Sequence, residues 1–280
     1  MIESVGKYFV LMDGGSRSGG TAIIRSAIDT RDGSKVAVKF VSGRTDEMTR
    51  KVFERETRAL RSLDHPNIVG LRDAGFDETG TYFLVLDWVD HNLSDLLKAP
   101  PWSNWDELYE SIAKPLLDGL AYAHLKQLEH RDIKPANILV NTAGTPLLAD
   151  FGIAKIGGDG QHSEHTVQYF RSGAYAPPEH DAQIAYVRDV YSIGVVLLRC
   201  MSDSPIGDFP DVKLALEAVN VPSDVRSLLE ACVHPDVTER PSNGSDLASK
   251  FDKLARQRIA LQEQPRNPIG AAEGFVDSFV

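Results

Sequence analysis

The stretch "EHRDIKPANIL" at residues 129–139 gathers His130, Arg131, Asp132, Lys134 and Asn137 within eight positions. One carboxylate, two cations, an imidazole and an amide make a dense chemical set for so short a segment. A second stretch, "LLADFGIAK" (147–155), places Asp150 between an apolar run and Phe151-Gly152, thirteen positions after Asn137. Any one of these residues alone reads as a solvated loop residue. Both stretches sit beside short β-branched or leucine-rich runs, "ANILV" (136–140) and "PLLAD" (146–150), which read as strands flanking a polar loop.

Working outward, "NWDELYESIAKPLLDGLAYAHLKQ" (104–127) is long and apolar-periodic, so a helix feeds the loop. Further helical patterns follow at 187–201, 210–219, 222–233 and 244–261, three of them with Ser-Asp or Pro-Asp starts suited to N-caps. Upstream of residue 90 the pattern is β-like. "KYFVLM" (7–12), "TAIIRSAI" (21–28), "VAVKF" (36–40) and "TYFLVLDWV" (81–89) read as strands, and Asp32-Gly33 centres a hairpin turn. One amphipathic helix interrupts them at 45–63, with Met48, Val52, Ala59, Leu60 and Leu63 at helical spacing. "HPNIV" (65–69) then stops the helix with a proline. The chain is therefore expected to form an α+β fold of two lobes, small and β-rich first, larger and helical second, joined near residues 87–90. A ligand is expected in the cleft between them.

Composition narrows the function classes. A net charge of -10 argues against a general nucleic-acid binder. It leaves room for an anionic ligand held by local cations and backbone N–H groups. Cys200 and Cys232 form no metal-ligand pattern and no disulfide framework, so both read as small buried side chains in a reducing, cytoplasmic setting. The longest apolar stretch, "VYSIGVVLL" (190–198), is far short of a membrane span, and the N-terminus lacks the pattern of a signal peptide.

On the HRDIKPAN and DFG stretches, together with "VAVK", the chain resembles the eukaryotic-type (Hanks-type) Ser/Thr protein kinase domain over residues 7–260. The N-lobe covers about 7–88 and the C-lobe about 89–260, with 261–280 left as a C-terminal extension or linker. The resemblance implies ATP- and Mg²⁺-dependent (or Mn²⁺-dependent) transfer of the γ-phosphoryl group to Ser/Thr hydroxyls of protein substrates. Phosphoryl transfer needs positioning and charge neutralisation more than covalent chemistry. Asp132 would orient the substrate hydroxyl, Lys134 would offset charge on the γ-phosphate, and Asn137 and Asp150 would give Mg²⁺ hard oxygen ligands.

The other roles follow from the same resemblance. Lys39 would hold the α/β-phosphates and pair with Glu56; positions two apart on a helix face opposite ways, so only one of Glu54 and Glu56 can face the cleft, and Glu56, nine residues before His65, matches the family's phasing. Ile24 and Ala37 above and Leu139 below would sandwich the adenine, with Leu86 as gatekeeper and backbone groups of Asp87 and Val89 bonding the ring. Arg131 would gather a phosphate on Ser163 or Thr166. Ser172 would face Asp132 and Lys134 from the substrate side. Glu179 would pair with Arg240 in a buried salt bridge, and Asp189 would brace the catalytic loop.

The glycine-rich stretch "MDGGSRSGGTAII" (12–24) departs from the pattern. Counting back from Lys39 puts its glycine positions at Arg17, Gly19 and Ala22, with Gly20 adjacent. A shift of one or two positions would bring Gly14 or Gly15 to the first of them. This worn turn supports an alternative, a pseudokinase or weakly active scaffold. Against it, Lys39, Glu56, Asp132, Asn137 and Asp150 are all present. A sensor domain or a larger polypeptide beyond the C-terminus is also expected.

Overall fold

The structure, a computed structural model, describes residues 4–6, 9–12, 17–19, 22–41, 47–151, 173–179, 185–207 and 209–263. Gly20, Ser163, Thr166, Ser172 and the 264–280 part of the tail lie outside the described residues.

Seven strands of the N-terminal half form one antiparallel sheet. They are β1 (Ser4–Val5), β2 (Phe9–Leu11), β3 (Arg17–Gly19), β4 (Ala22–Asp29), β5 (Lys35–Val41), then, after helix α1 (Glu47–Leu60), β6 (Leu71–Phe76) and β7 (Tyr82–Asp87). The order is β1-β2-β4-β5-β7-β6, with β3 also on β4. The strand expected at 7–12 is present as β2, and β1 and β3 add short strands before and after it. Leu11 faces Ala27, and Met12 N donates to the Ser26 carbonyl at 2.9 Å. The Asp32-Gly33 hairpin joins β4 to β5, with Gly33 at φ 75°, a conformation that side chains with a β-carbon disfavour. Strand β6 was not anticipated from sequence, since "LRDAGF" has no apolar alternation.

Alternation divides the sheet into two faces. Val36, Val38, Phe83 and Val85 point to one side and form a small core with Val5, Phe9, Leu11 and Ala27. Lys39, Ala37 and their cross-strand partners Ile24 and Leu86 lie on the other. Helix α1 covers part of that second face through Phe53, which packs on Tyr82 and Leu84. The rest is left open toward the helical half.

The helical half begins at β8 (His91–Asn92) and α2 (Leu93–Leu96), capped by a reciprocal Asn92/Asp95 box. The expected 104–127 helix is present in three sections: α3 (Trp105–Leu108), a π turn (Tyr109–Ala113) and α4 (Lys114–Leu125). Pro115 explains the π turn. It has no N–H to donate and its ring crowds the carbonyl one turn back. The helix widens, and the Lys114 N–H reaches the Tyr109 carbonyl instead.

Strands β9 (Ile138–Val140) and β10 (Pro146–Leu148) form a small sheet with β8 beneath the cleft. Helices α5 (Ala185–Cys200), α6 (Phe209–Ala218), α7 (Ser223–Cys232) and α8 (Gly244–Glu263) complete this half. The Ser-Asp and Pro-Asp pairs lie inside the first turns of α6, α7 and α8. Pro222 occupies the α7 cap without a side-chain bond, and Asn243 Oδ1 accepts from Asp246 N at the start of α8. The acids still complement the helix N-termini there.

The core of this half joins α4 (Leu116, Leu117, Leu120) to α5 (Val190, Tyr191, Ile193). Trp105 stacks on Phe251 of α8 at 5.5 Å. Gly244 lets α8 close on α4, since a β-carbon there would sit 2.8 Å from the Ala121 nitrogen. The two halves meet through backbone bonds from Val69 N to Leu148 O and from Leu148 N to Asn67 O. Among the described residues no helix is long and apolar enough to cross a membrane.

Candidate active site

The 129–137 loop is held from below by a buried carboxylate. Asp189, on α5, is fully buried and accepts hydrogen bonds from the backbone N–H groups of His130 and Arg131, each at 2.7 Å. His124 Nε2 lies 3.0 Å from the same carboxylate, while its Nδ1 accepts from Gly244 N at 2.8 Å, which fixes the ring's tautomer. Burial works against the Asp189 charge, and the His124 bond and the two backbone N–H groups outweigh it, holding the carboxyl below its ordinary range. Arg131 takes φ 68° in this grip, a left-handed conformation costing about 1–2 kcal/mol for a residue with a β-carbon.

Asp132 is held from two sides. Lys134 Nζ lies 2.8 Å from one carboxylate oxygen, and Asn137 Nδ2 donates to the same oxygen and to the Asp132 carbonyl, both at 2.8 Å. Both bonds use Nδ2 and so leave the Asn137 Oδ1 as an acceptor. His130 sits beneath, fully buried, its ring 4.5 Å from that of Phe151. Burial pushes this imidazole below its ordinary value, so it is neutral at pH 7.

Across the cleft, Lys39 is 8% exposed on β5, and its Nζ lies 2.9 Å from Asp150 Oδ1. Asp150 is the second left-handed residue of the site, at φ 67°. The expected Lys39–Glu56 pair is not formed. The Lys39 ammonium is satisfied by Asp150, while Glu56 pairs with its neighbour Arg55 at 3.0 Å and lies in the field of Arg131. Arg131 itself donates to Glu129 at 2.7 Å.

Ile24, Ala37, Leu86 and Leu139 are half-buried, although Val36, Val38, Ile138 and Val140 beside them are fully enclosed. Plain core packing would bury both sets alike. The half-buried set instead lines the open side of the β4–β5–β7 face and the top of β9. Leu86 also borders a small cavity of about 20 Å³ shared with Leu60, Leu71 and Phe151. Asp87 and Val89 follow Leu86 where the chain crosses between halves. The Asp87 carboxylate is tied by Arg72 Nε at 2.6 Å, and Arg72 also reaches Asp32 at 3.0 Å. Gly19 pairs with Ala22 in the β3–β4 ladder.

Farther from the cleft, Glu179 and Arg240 form a bidentate pair at 2.7 and 2.8 Å. Sequence reading missed His124, Glu129 and Arg72. His124 reads as a lone core histidine on an apolar helix. The partners of Arg72 lie 15 and 40 positions away, with no motif to connect them.

A family model for the protein kinase domain matches residues 17–252. The chain belongs to the protein kinase family. It is 31% identical over 278 residues to a probable serine/threonine-protein kinase, pknA2, of Bifidobacterium longum, covering 91% of this chain and 36% of that protein. It is 29% identical over 283 residues to the serine/threonine-protein kinase PrkC of Bacillus subtilis, covering 92% and 43%. Against the mitogen-activated protein kinase sma-5 of Caenorhabditis elegans it is 37% identical over 179 residues, covering 58% and 34%. The chain thus spans well under half the length of these relatives.

Asn137 and Asp150 each carry a hard side-chain oxygen, the donor type a divalent cation of the Mg²⁺ kind takes. Among the described residues no group of three or more His, Cys, Asp or Glu side chains could hold an ion. That donor set suits Mg²⁺, which takes one or two protein oxygens and fills its octahedron from substrate phosphates and water.

Proposed function

We propose that the chain transfers the γ-phosphoryl group of ATP to serine or threonine hydroxyls of protein substrates. The observation that carries this reading is Asp132, a half-exposed carboxylate pinned between Lys134 and Asn137 on a loop whose backbone is clamped by buried Asp189. Such a carboxylate is oriented to accept a hydrogen bond from an incoming hydroxyl, and Lys134 stands beside it to offset charge on the moving phosphoryl group. Asn137 and Asp150 would hold Mg²⁺ or Mn²⁺, which supplies further neutralisation of the phosphates when bound. Lys39 would hold the α/β-phosphates, exchanging its bond to Asp150 for bonds to the nucleotide. Ile24, Ala37, Leu86 and Leu139 would enclose the adenine, and the backbone of Asp87 and Val89 would bond its edge. Arg131, now held by Glu129, is where a phosphate on Ser163 or Thr166 would dock, and Ser172 would face the acceptor. A cytoplasmic location fits a reaction that draws on ATP.

The test is incubation with Mg²⁺ and labelled ATP, alone and with a generic protein substrate. Asp132→Asn and Lys39→Met should each lower incorporation by at least about a hundredfold. Equal incorporation by all three proteins would refute the assignment and leave the scaffold reading.

A further inference from the structure

Next to Asp132 the surface opens into a cavity of about 290 Å³ between α2, the 134–136 turn and α5. Three cations border it, and they come from three separate segments: Lys98, Lys134 and Arg199. None of its lining residues among those described is acidic. Tyr175 and Leu97 form its walls, and exposed Ala136 leaves its mouth uncluttered. In a chain of net charge -10 this local excess of cations runs against the overall balance.

The cations are not equally committed. Lys98 pairs with Asp95 at 2.8 Å in an exposed contact, and Lys134 serves Asp132. Arg199 donates to the Ser202 carbonyl at 2.9 Å, its one acceptor among the described residues. A guanidinium carries five N–H donors in a planar fork, so the Ser202 bond leaves donor capacity for an anion. The last turn of α5 favours a cation at Arg199 on helix-dipole grounds alone. That does not explain why Lys98 and Lys134 border the same volume.

We propose that this cavity receives an anionic side chain of the protein substrate, a carboxylate or a phosphorylated residue, with Arg199 as the residue that selects it. The proposal rests on the kinase reading above and names its substrate class. Lys134 belongs to both the cavity and the Asp132 site, so the anion lies within about three residues of the acceptor hydroxyl, at about 3.3 Å of extended chain per residue. The long-range field of the acidic protein is screened beyond about 8 Å at physiological salt, so the local cations decide.

The experiment is a positional scan of Ser/Thr-centred peptides with Asp, Glu, phosphoserine, Ala or Lys fixed at each flanking position. At one position the anionic residues should exceed Lys by about tenfold in kcat/KM, and added salt should erode that ratio. Arg199→Glu should reverse the preference toward Lys. Lys98→Glu, an exposed change that leaves folding intact, should weaken it. Phosphorylation of the library without anionic preference, or an acidic preference that survives in Arg199→Glu, overturns the proposal while leaving kinase activity established. If the wild-type chain phosphorylates no peptide and no generic protein, the kinase reading fails instead. Fluorescence anisotropy of an acidic peptide against its Lys-substituted counterpart then still decides whether the cavity selects anions.

Discussion

Replacing Glu179 by Ala should destabilise the protein far more than an average ion-pair mutation. The Arg240 side chain is 0% exposed and that of Glu179 only 16%, so solvent cannot take over when one partner is lost. Without Glu179 the guanidinium keeps the His234 carbonyl at 2.8 Å and the Tyr191 ring at 4.9 Å, but no counter-charge. Leaving one charge of a buried pair uncompensated costs about 3–5 kcal/mol. In a domain of this size each kcal/mol moves Tm by about 2–4 °C, so the loss should be on the order of 10 °C. Replacing both partners by apolar residues, Glu179→Leu with Arg240→Met, should cost less than Glu179→Ala alone, because no charge is stranded. The pH dependence has a defined sign. Burial alone would raise the Glu179 carboxyl, but the Arg240 bonds and charge hold it below its ordinary value. The pair's contribution is therefore present above the unfolded carboxyl's pKa and is lost as pH falls through the folded one. Thermal melts from pH 7.5 down to pH 3.5 should show the gap between wild type and Glu179→Ala closing at the acid end. A gap below about 1 kcal/mol at pH 7.5, or a double variant less stable than Glu179→Ala, would refute the reasoning.

Three further outcomes are expected. Arg72→Ala should weaken nucleotide binding about two- to fivefold by freeing Asp87 at the crossing between lobes, with turnover at saturating ATP little changed; the effect is small because the Asp87 and Asp32 side chains are 44% and 54% exposed. His130→Phe should cost only about 1 kcal/mol at pH 7.5, since the buried Nε2 has no partner and the loss is the long 3.4 Å bond that Nδ1 accepts from Asp132 N. Because His130 titrates below its unfolded value, wild type should lose stability as pH drops below about 6.5, and melts of the variant over that range should show a shallower slope. Cys200 and Cys232, buried with their thiols pushed up to about 12, should resist iodoacetamide at pH 8 in the folded state, as read by mass spectrometry, and react fully in denaturant.

The family and the two-lobed plan were legible because the decisive residues sit in two short loops whose spacing is set locally, by a helix end and two short strands. What stayed hidden depends on contacts between distant segments. Helix α1 was visible from its periodicity, but Phe53, the side chain that anchors it, lay outside the apolar positions picked from the pattern. Strand β6 carries Arg72, Asp73 and Gly75 and is held by pairing with β7 rather than by its own propensity. The partner of Lys39 could not be read from spacing. Glu56 and Asp150 are both acids within reach of the cleft, and which one closes on the ammonium depends on how α1 and the 150–151 turn settle. The cationic cavity was invisible for the same reason, since Lys98, Lys134 and Arg199 share no motif.

The hydrogen bonds around Asp189 also bear on the order of folding. They span 58, 59 and 65 positions, and the His124–Gly244 bond spans 120. Closing such long loops is entropically costly, and each must be closed before the chemistry-bearing turn acquires its left-handed residue. The turn therefore gains its full support only late, once these distant segments have met. A polypeptide ending before α8 would lack the group that orients His124, and with it part of the support under Asp189. Catalytic geometry and global folding are thereby made one event. A partly folded chain would not carry a fully supported turn.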